Sequence, residues 1–146
     1  FSPERCGTLP TGALVNYCYS GNYTHDQMKK IINGKGGFMA HLGTNQAHEA
    51  AERALAGDEY AKLVLEAMAY QVAKTIGGAA TVLHGKVDVI IITGGIANNK
   101  FVLEYIVPMI SFIGNVLIFP GEDEMKALND NALGVLTGER QLSEYK

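Results

Sequence analysis

Tryptophan is absent, cysteine occurs twice and proline four times in 146 residues. Each scarcity excludes something. Two thiols, Cys6 and Cys18, without a further ligand cluster do not make a disulfide framework and suit reduced residues in a cytosolic protein. Basic residues form no block, and 12 of them against 15 acidic residues leave a formal net charge of −3. The chain therefore has no electrostatic footprint for a DNA or RNA backbone. No apolar run is longer than that of Val89–Ile92, far too short to cross a bilayer. A charged start leading into an apolar stretch and a small-residue cleavage site is also missing, so no secretory signal is expected. Apolar residues at 47% against 18% charged argue against disorder. One domain is expected at this length, with about two-thirds of its extended surface buried. The opening "FSPERCGTLP" begins at Phe1 without a methionine and has the composition of a loop, which leads us to expect a piece of a longer polypeptide.

Helical signals fill the first 85 residues. Pro10 suits the first turn of a short helix capped by Thr8, because that turn needs no donor from it. Leu14, Val15, Tyr17 and Cys18 continue that helix towards Ser20-Gly21. Thr24 predicts the next N-cap, with Asp26 beside the free amides and Met28, Ile31 and Ile32 as the buried stripe. Residues 33–43, "NGKGGFMAHLG", are punctuated by glycine without helical period and predict a loop with one short strand. Asn45 is a candidate cap for a helix through Ala56. From Asp58 to about Leu83 runs the longest element, with Tyr60, Leu63, Val64, Ala67, Met68, Val72, Ile76 and Ala79 at three- and four-residue spacing. Gly77-Gly78 inside it suits a close backbone approach or a bend.

The pattern then changes. "VDVIIIT" (87–93) is nearly all β-branched and predicts a strand covered by helices on both faces. Phe101–Phe112 predicts a helix, with a break near Tyr105 ahead of Pro108. "NVLIFP" (115–120) predicts a second buried strand. A last helix is expected from Glu122 or Asp123 to Leu136, with Met125, Leu128, Ala132, Val135 and Leu136 inward. Strand, helix, strand, helix is a βα repeat with parallel strands joined by a right-handed crossover. The fold class is thus α/β, helix-rich, with a small parallel sheet portion.

Ligands of open α/β sheets collect beyond the carboxyl ends of the strands, and Gly94-Gly95 stands at such an end. Two residues without Cβ atoms let a flat ring or a phosphate approach the main chain. The helix after Asn98 and Asn99 adds free amides and a positive dipole end. An ordinary strand-to-helix turn explains the same glycines, and neither the dinucleotide fingerprint nor a P-loop is present. "GKGG" (34–37) lacks the spacing and the hydroxyl of a P-loop. Arg5, in a loop of small and polar residues, is either a surface cation or a guanidinium matched to a transferring phosphoryl group. His25, His41, His48 and His84 show no metal spacing, although His41 and His48 could lie near one pocket. Ser2, Ser20, Ser111 and Ser143 have no nucleophile-elbow context. Glu122, Asp123 and Glu124 read as a helix-start cluster at the positive dipole end, with a magnesium cluster as the alternative.

"FSPERCGTLPTGALV" (1–15), "GKGGFMAHLGTN" (34–45), "AMAYQVAKTIG" (67–77), "VDVIIITGGIANNK" (87–100) and "FPGEDEM" (119–125) together carry a resemblance. Over essentially all 146 residues the chain resembles the C-terminal part of the butyrate kinases, in the acetate kinase group of the actin, sugar kinase and heat-shock ATPase superfamily. The resemblance implies the C-terminal, ribonuclease-H-like, nucleotide-binding domain of a two-domain kinase. The N-terminal domain and the first hairpin of this domain, with their phosphate, metal and carboxylate loops, would lie upstream. "TGGIANN" looks like the adenosine motif, placing Gly94, Gly95, Ile96, Asn98 and Asn99 at the nucleotide. "HLGTN", with Gly43, Thr44 and Asn45, resembles the second flank of the adenine pocket. "ERCG" looks like the loop whose arginine, Arg5 here, stabilises the transferring phosphoryl group. The helix holding Gly77-Gly78 looks like one that crosses between domains. Gln46 and His48 depart from the family, which usually carries aspartate and arginine at those places.

The activity so implied is reversible phosphoryl transfer between ATP and a short-chain carboxylate, giving butyryl phosphate and ADP in the full-length protein. It would use Mg²⁺ held mainly by upstream residues, with positioning and charge neutralisation as the means. This chain alone is expected to be inactive. A cytoplasmic homo-oligomer paired through this domain is the implied assembly, with no nucleic-acid or membrane partner. Two other readings stand beside it: a non-catalytic nucleotide-binding or scaffold module of the same fold, and an acetate or sugar kinase.

Overall fold

A computed structural model describes residues 1–121 and 123–143. Seven helices and two strands follow in order among them: α1 (Thr11–Cys18), α2 (His25–Ile32), α3 (Gly37–Leu42), α4 (Ala47–Leu55), α5 (Glu59–Val82), β1 (Val89–Gly94), α6 (Lys100–Ile110), β2 (Asn115–Pro120) and α7 (Glu124–Leu136). A single 3-10 turn, Gly95–Asn98, links β1 to α6. The strands are parallel and in register from Val89 opposite Asn115 to Gly94 opposite Pro120, as the βα repeat predicts. The architecture is a helix-rich α/β fold with a small parallel sheet.

The helices start where side chains can meet free amides. Thr24 accepts from the Gln27 amide while the Gln27 side chain returns to the Thr24 amide, a reciprocal capping box. Asp58 caps α5 by accepting from the amides of Tyr60 and Ala61. Asn99 caps α6 through the Val102 amide. At α1 the cap is Pro10 itself, without a side-chain bond, so the expected role of Thr8 is corrected: a helix starting at Thr11 puts Thr8 too far back. Asn45 is not the cap of α4. That position is Gln46, because the Asn45 side chain is turned to Glu4.

Three further expectations change. Residues 37–42 form α3 rather than a loop with a strand, since Phe38 is fully buried and tertiary packing overrides the glycine-rich local signal. Gly37 there has φ +56, and a Cβ would lie 1.6 Å from the Ser2 carbonyl oxygen; the opening loop can cross only over a bare backbone. α6 runs unbroken to Ile110 with Pro108 inside it. Proline in the last turn forfeits a single hydrogen bond, so no break forms at Tyr105. On α5 the buried residues are Ala61, Val64, Leu65, Met68, Ala69 and Ala73, whereas Tyr60, Leu63 and Val72 are exposed. Two neighbouring stripes of this helix satisfy the same spacing, and the small alanines let α4 and α6 come close.

The core lies among α3, α4, α5 and α6, with Phe38, Leu65, Val102 and Ile110 completely buried. Ile90 and Ile92 of β1 pack against it from the sheet. Opposite them Val89 and Ile91 are exposed, so in this chain helices cover one face of the sheet and not both. β2 is exposed along nearly its whole length. Of the inward set expected on α7, Met125, Leu128, Ala132 and Leu136 are exposed and Val135 is half-buried, while Gly134 is the buried residue of this helix. Gly77 and Gly78 have open space where a Cβ would stand, so within the described chain no backbone approaches them and α5 continues through them.

Candidate nucleotide groove

A groove of about 540 Å³ opens where β1 ends, between the 3-10 turn with the start of α6 and one face of α4. On the first side lie Gly95, Asn98, Asn99, Lys100 and Phe101. The second side is Gln46, Ala47, His48, Ala51, Glu52 and Leu55. Residues 48, 51, 52 and 55 are one helical face, which is how a single short helix can furnish a wall.

Gly94 and Gly95 do different work. Gly94 has φ 81, a left-handed value that favours glycine, and its amide and carbonyl are both paired with Gly121 at 3.2 Å. Gly95 borders the groove, and a Cβ built on it meets nothing. The open space on the groove side thus lies at Gly95, while Gly94 makes the corner. Ile96 points its bulk towards the core. Asn98 lines the groove with its amide 3.4 Å from the Gly95 carbonyl oxygen. Asn99 accepts from the Val102 amide at 3.2 Å and donates to the Ala47 carbonyl at 3.0 Å.

Gly43, Thr44 and Asn45 stand behind the second side rather than in it. Gly43 closes α3 in the left-handed region with φ 73. Thr44 is the buried polar residue of the described chain; its hydroxyl donates to Glu49 at 2.6 Å and accepts from the Gln46 amide at 3.1 Å. Asn45 donates to Glu4 at 2.5 Å, which joins the opening loop to this side. Arg53 reaches from α4 to the Leu42 carbonyl at 2.9 Å and to Asp58 at 2.8 Å. Amides of α5, then Arg53, hold the Asp58 carboxyl below its ordinary range.

Arg5 is not among the groove residues. Its backbone is fixed: the amide meets the Ser2 hydroxyl at 3.1 Å, the carbonyl accepts from the Ser2 amide at 3.0 Å, and the residue bridges to Asn33. The side chain is exposed, and among the described residues no partner holds its guanidinium. His41 and His48 do not share the groove; His41 meets the Tyr60 hydroxyl at 2.9 Å. Asp123 and Glu124 begin α7, while Glu122 lies outside the described residues. Among the described residues no three His, Cys, Asp or Glu side chains gather as a metal cluster, and no helix is long and apolar enough to cross a membrane. Glu52, Leu55 and Phe101 escaped sequence reasoning, and the helical face 48–51–52–55 was the signal that could have found three of the four α4 positions beyond His48.

The acetokinase family profile matches residues 3–133. The chain belongs to the acetokinase family. It is 55% identical over its full length to butyrate kinase 2 of Clostridium acetobutylicum and 51% identical to a probable butyrate kinase of Bacteroides thetaiotaomicron. In both cases it spans 41% of the relative's length. Among solved structures, the acetate kinase of Porphyromonas gingivalis matches 90% of this chain and 39% of its own, with a TM-score of 0.77 at 20% identity. That last likeness bears on fold, and it agrees with the family membership shown by sequence.

Proposed function

We propose that this acetokinase-family chain is the nucleotide-binding part of a two-domain kinase that transfers a phosphoryl group between ATP and a short-chain carboxylate, butyrate by the names of the butyrate kinases it resembles. The groove beyond the carboxyl end of β1 carries the reading. Its volume of about 540 Å³ lies in the range of small-molecule sites, roughly 300–1,000 Å³. Gly95 offers bare backbone on one side, and Ala51 and Leu55 offer apolar surface on the other, a setting suited to a purine ring. Asn98 supplies a polar edge, and the start of α6 brings positive dipole.

Bound ATP would bring the phosphoryl group; the protein's part is to place and neutralise. Arg5 is suited to the second task, because its backbone is held at three points while its guanidinium is unengaged. A free, always-charged fork gathers charge on phosphoryl oxygens as it grows in the transition state. Among the described residues no cluster of His, Cys, Asp or Glu side chains makes a magnesium site, and in this reading the metal is held by the rest of the longer protein. Pairing of two copies through this domain, and a cytoplasmic setting, belong to the same proposal.

Two substitutions in the intact protein test it. Gly95→Val fits the fold, since nothing stands where its Cβ would go, yet it fills the groove. Calorimetry with Mg·ATP should show the affinity falling at least tenfold with the thermal midpoint kept. Arg5→Ala should leave ATP affinity within a few-fold while acyl phosphate formation drops about 10²–10³-fold. Unchanged ATP binding in Gly95→Val would remove the groove from the reading, and unchanged turnover in Arg5→Ala would remove the arginine.

A further inference from the structure

Among the described residues, the Asn99 side chain joins the two sides of the groove by a hydrogen bond. Its Nδ2 donates to the carbonyl of Ala47, 52 residues earlier in the chain, at 3.0 Å. Ala47 opens α4 between the groove residues Gln46 and His48. At the same time Oδ1 of Asn99 accepts from the Val102 amide at 3.2 Å and so caps α6. Only one orientation of the amide satisfies an N–H on one side and a carbonyl on the other. Both functional atoms are thus engaged within the protein, each keeping one hydrogen or one lone pair unused.

We propose that Asn99 is a positioning residue, a clip that sets the spacing between the glycine turn and α4. Three features make the clip matter. α4 begins without a side-chain cap of its own, so its first turn is otherwise held from behind, through Thr44 at the Gln46 amide. The Ala47 carbonyl has a second lone pair to receive the asparagine while serving its own helix. The contact is also partly buried, where a hydrogen bond exchanges less readily with water. With the clip closed, the cap of α6 and the first turn of α4 move together, and a ligand meets a preformed slot instead of closing one. The inference rests on the nucleotide reading of the groove, though its structural half can be tested without any nucleotide.

Serine at 99 keeps an acceptor for the Val102 amide but is too short to reach Ala47; aspartate keeps the acceptor and has no proton to donate. Alanine loses both. In the intact protein, Asn99→Ser and Asn99→Asp should retain the wild-type thermal midpoint within about two degrees, since all three residues cap comparably. Both should raise the dissociation constant for Mg·ATP about three- to tenfold, the worth of one hydrogen bond, with the KM for the carboxylate and kcat little changed. Hydrogen exchange of the peptide covering 45–52, measured without nucleotide, should speed up in both. Asn99→Ala should add a lower thermal midpoint to the same affinity loss. If Asn99→Ser exchanges and binds like wild type while Asn99→Ala alone is impaired, the residue is a cap and the clip is wrong. Faster exchange in Asn99→Ser together with no ATP binding by wild type would leave the clip standing and sink the nucleotide reading instead.

Discussion

The layer made by α3 to α6 and the side made by β2 and α7 are about equally rich in apolar residues, yet they spend them differently. In the layer, Leu65, Ile110 and Phe38 are wholly buried. On the other side Met125 is 80% exposed, Leu136 83% and Phe119 55%. Periodicity reports which residues are suited to burial; it does not report what covers them. The layer is closed by helices that follow one another in sequence. The sheet and α7 present apolar faces for which the described chain has no matching element.

The widest gap between the two regions is expected in a pair of truncations. Leu65→Ala should destabilise this chain by about 2–5 kcal/mol, the usual range for emptying a packed leucine site. Leu136→Ala should stay within about 0.5 kcal/mol, as exposed positions do. Urea unfolding of both variants checks this, and equal losses would mean that α7 is docked after all.

How far the sequence could be read follows the same division. The cap Thr24, the long helix, the two parallel strands and the turn at Gly94-Gly95 are local signals, each written within a few residues. The missed elements depended on remote neighbours. α3 exists because Phe38 is buried and Gly37 admits the Ser2 carbonyl, neither visible in "GKGGFMAHLG". The two possible stripes of α5 can be told apart only by what packs on them. Glycine and asparagine types pointed to the turn beside which the groove opens, but not to the different backbone settings of Gly94 and Gly95. Nor could they show that the Asn99 amide reaches Ala47, a partner 52 residues away. Gly43, Thr44 and Asn45 came from resemblance, and in the structure they support the wall that Gln46 and His48 face.

A smaller effect sharpens the picture of the packed layer from inside. Asp58 caps α5 and pairs with Arg53, which also holds the end of α3. Its carboxyl is lowered by those partners, so folding favours the ionised form. The sign follows from linkage: this stabilisation is fully present above the ordinary aspartate range and is lost as pH falls through the lowered folded value. Stability measured from pH 6 downwards should therefore fall less steeply below the ordinary aspartate range in Asp58→Asn than in wild type. No difference between the two acid limbs would show that the cap and the ion pair do not hold in solution.

The smallest expected change sits at the joint between the two regions, where α5 hands the chain to β1. His84 has φ 53, left-handed backbone that a side chain adopts at a penalty of roughly 1–2 kcal/mol. The reason it does so is legible in the bonds: the His84 amide reaches the Thr81 carbonyl at 3.0 Å and the Gly85 amide reaches Ala80 at 2.9 Å. That pair of crossed bonds is a Schellman ending, whose first left-handed position usually belongs to glycine. His84→Gly relieves the backbone but also frees the unfolded chain, and the second effect cancels part of the first. A net gain of about 0.5–1 kcal/mol is expected, read as a higher urea midpoint at unchanged slope. A loss of stability instead would mean that the histidine side chain, and not the backbone bonds alone, holds the joint.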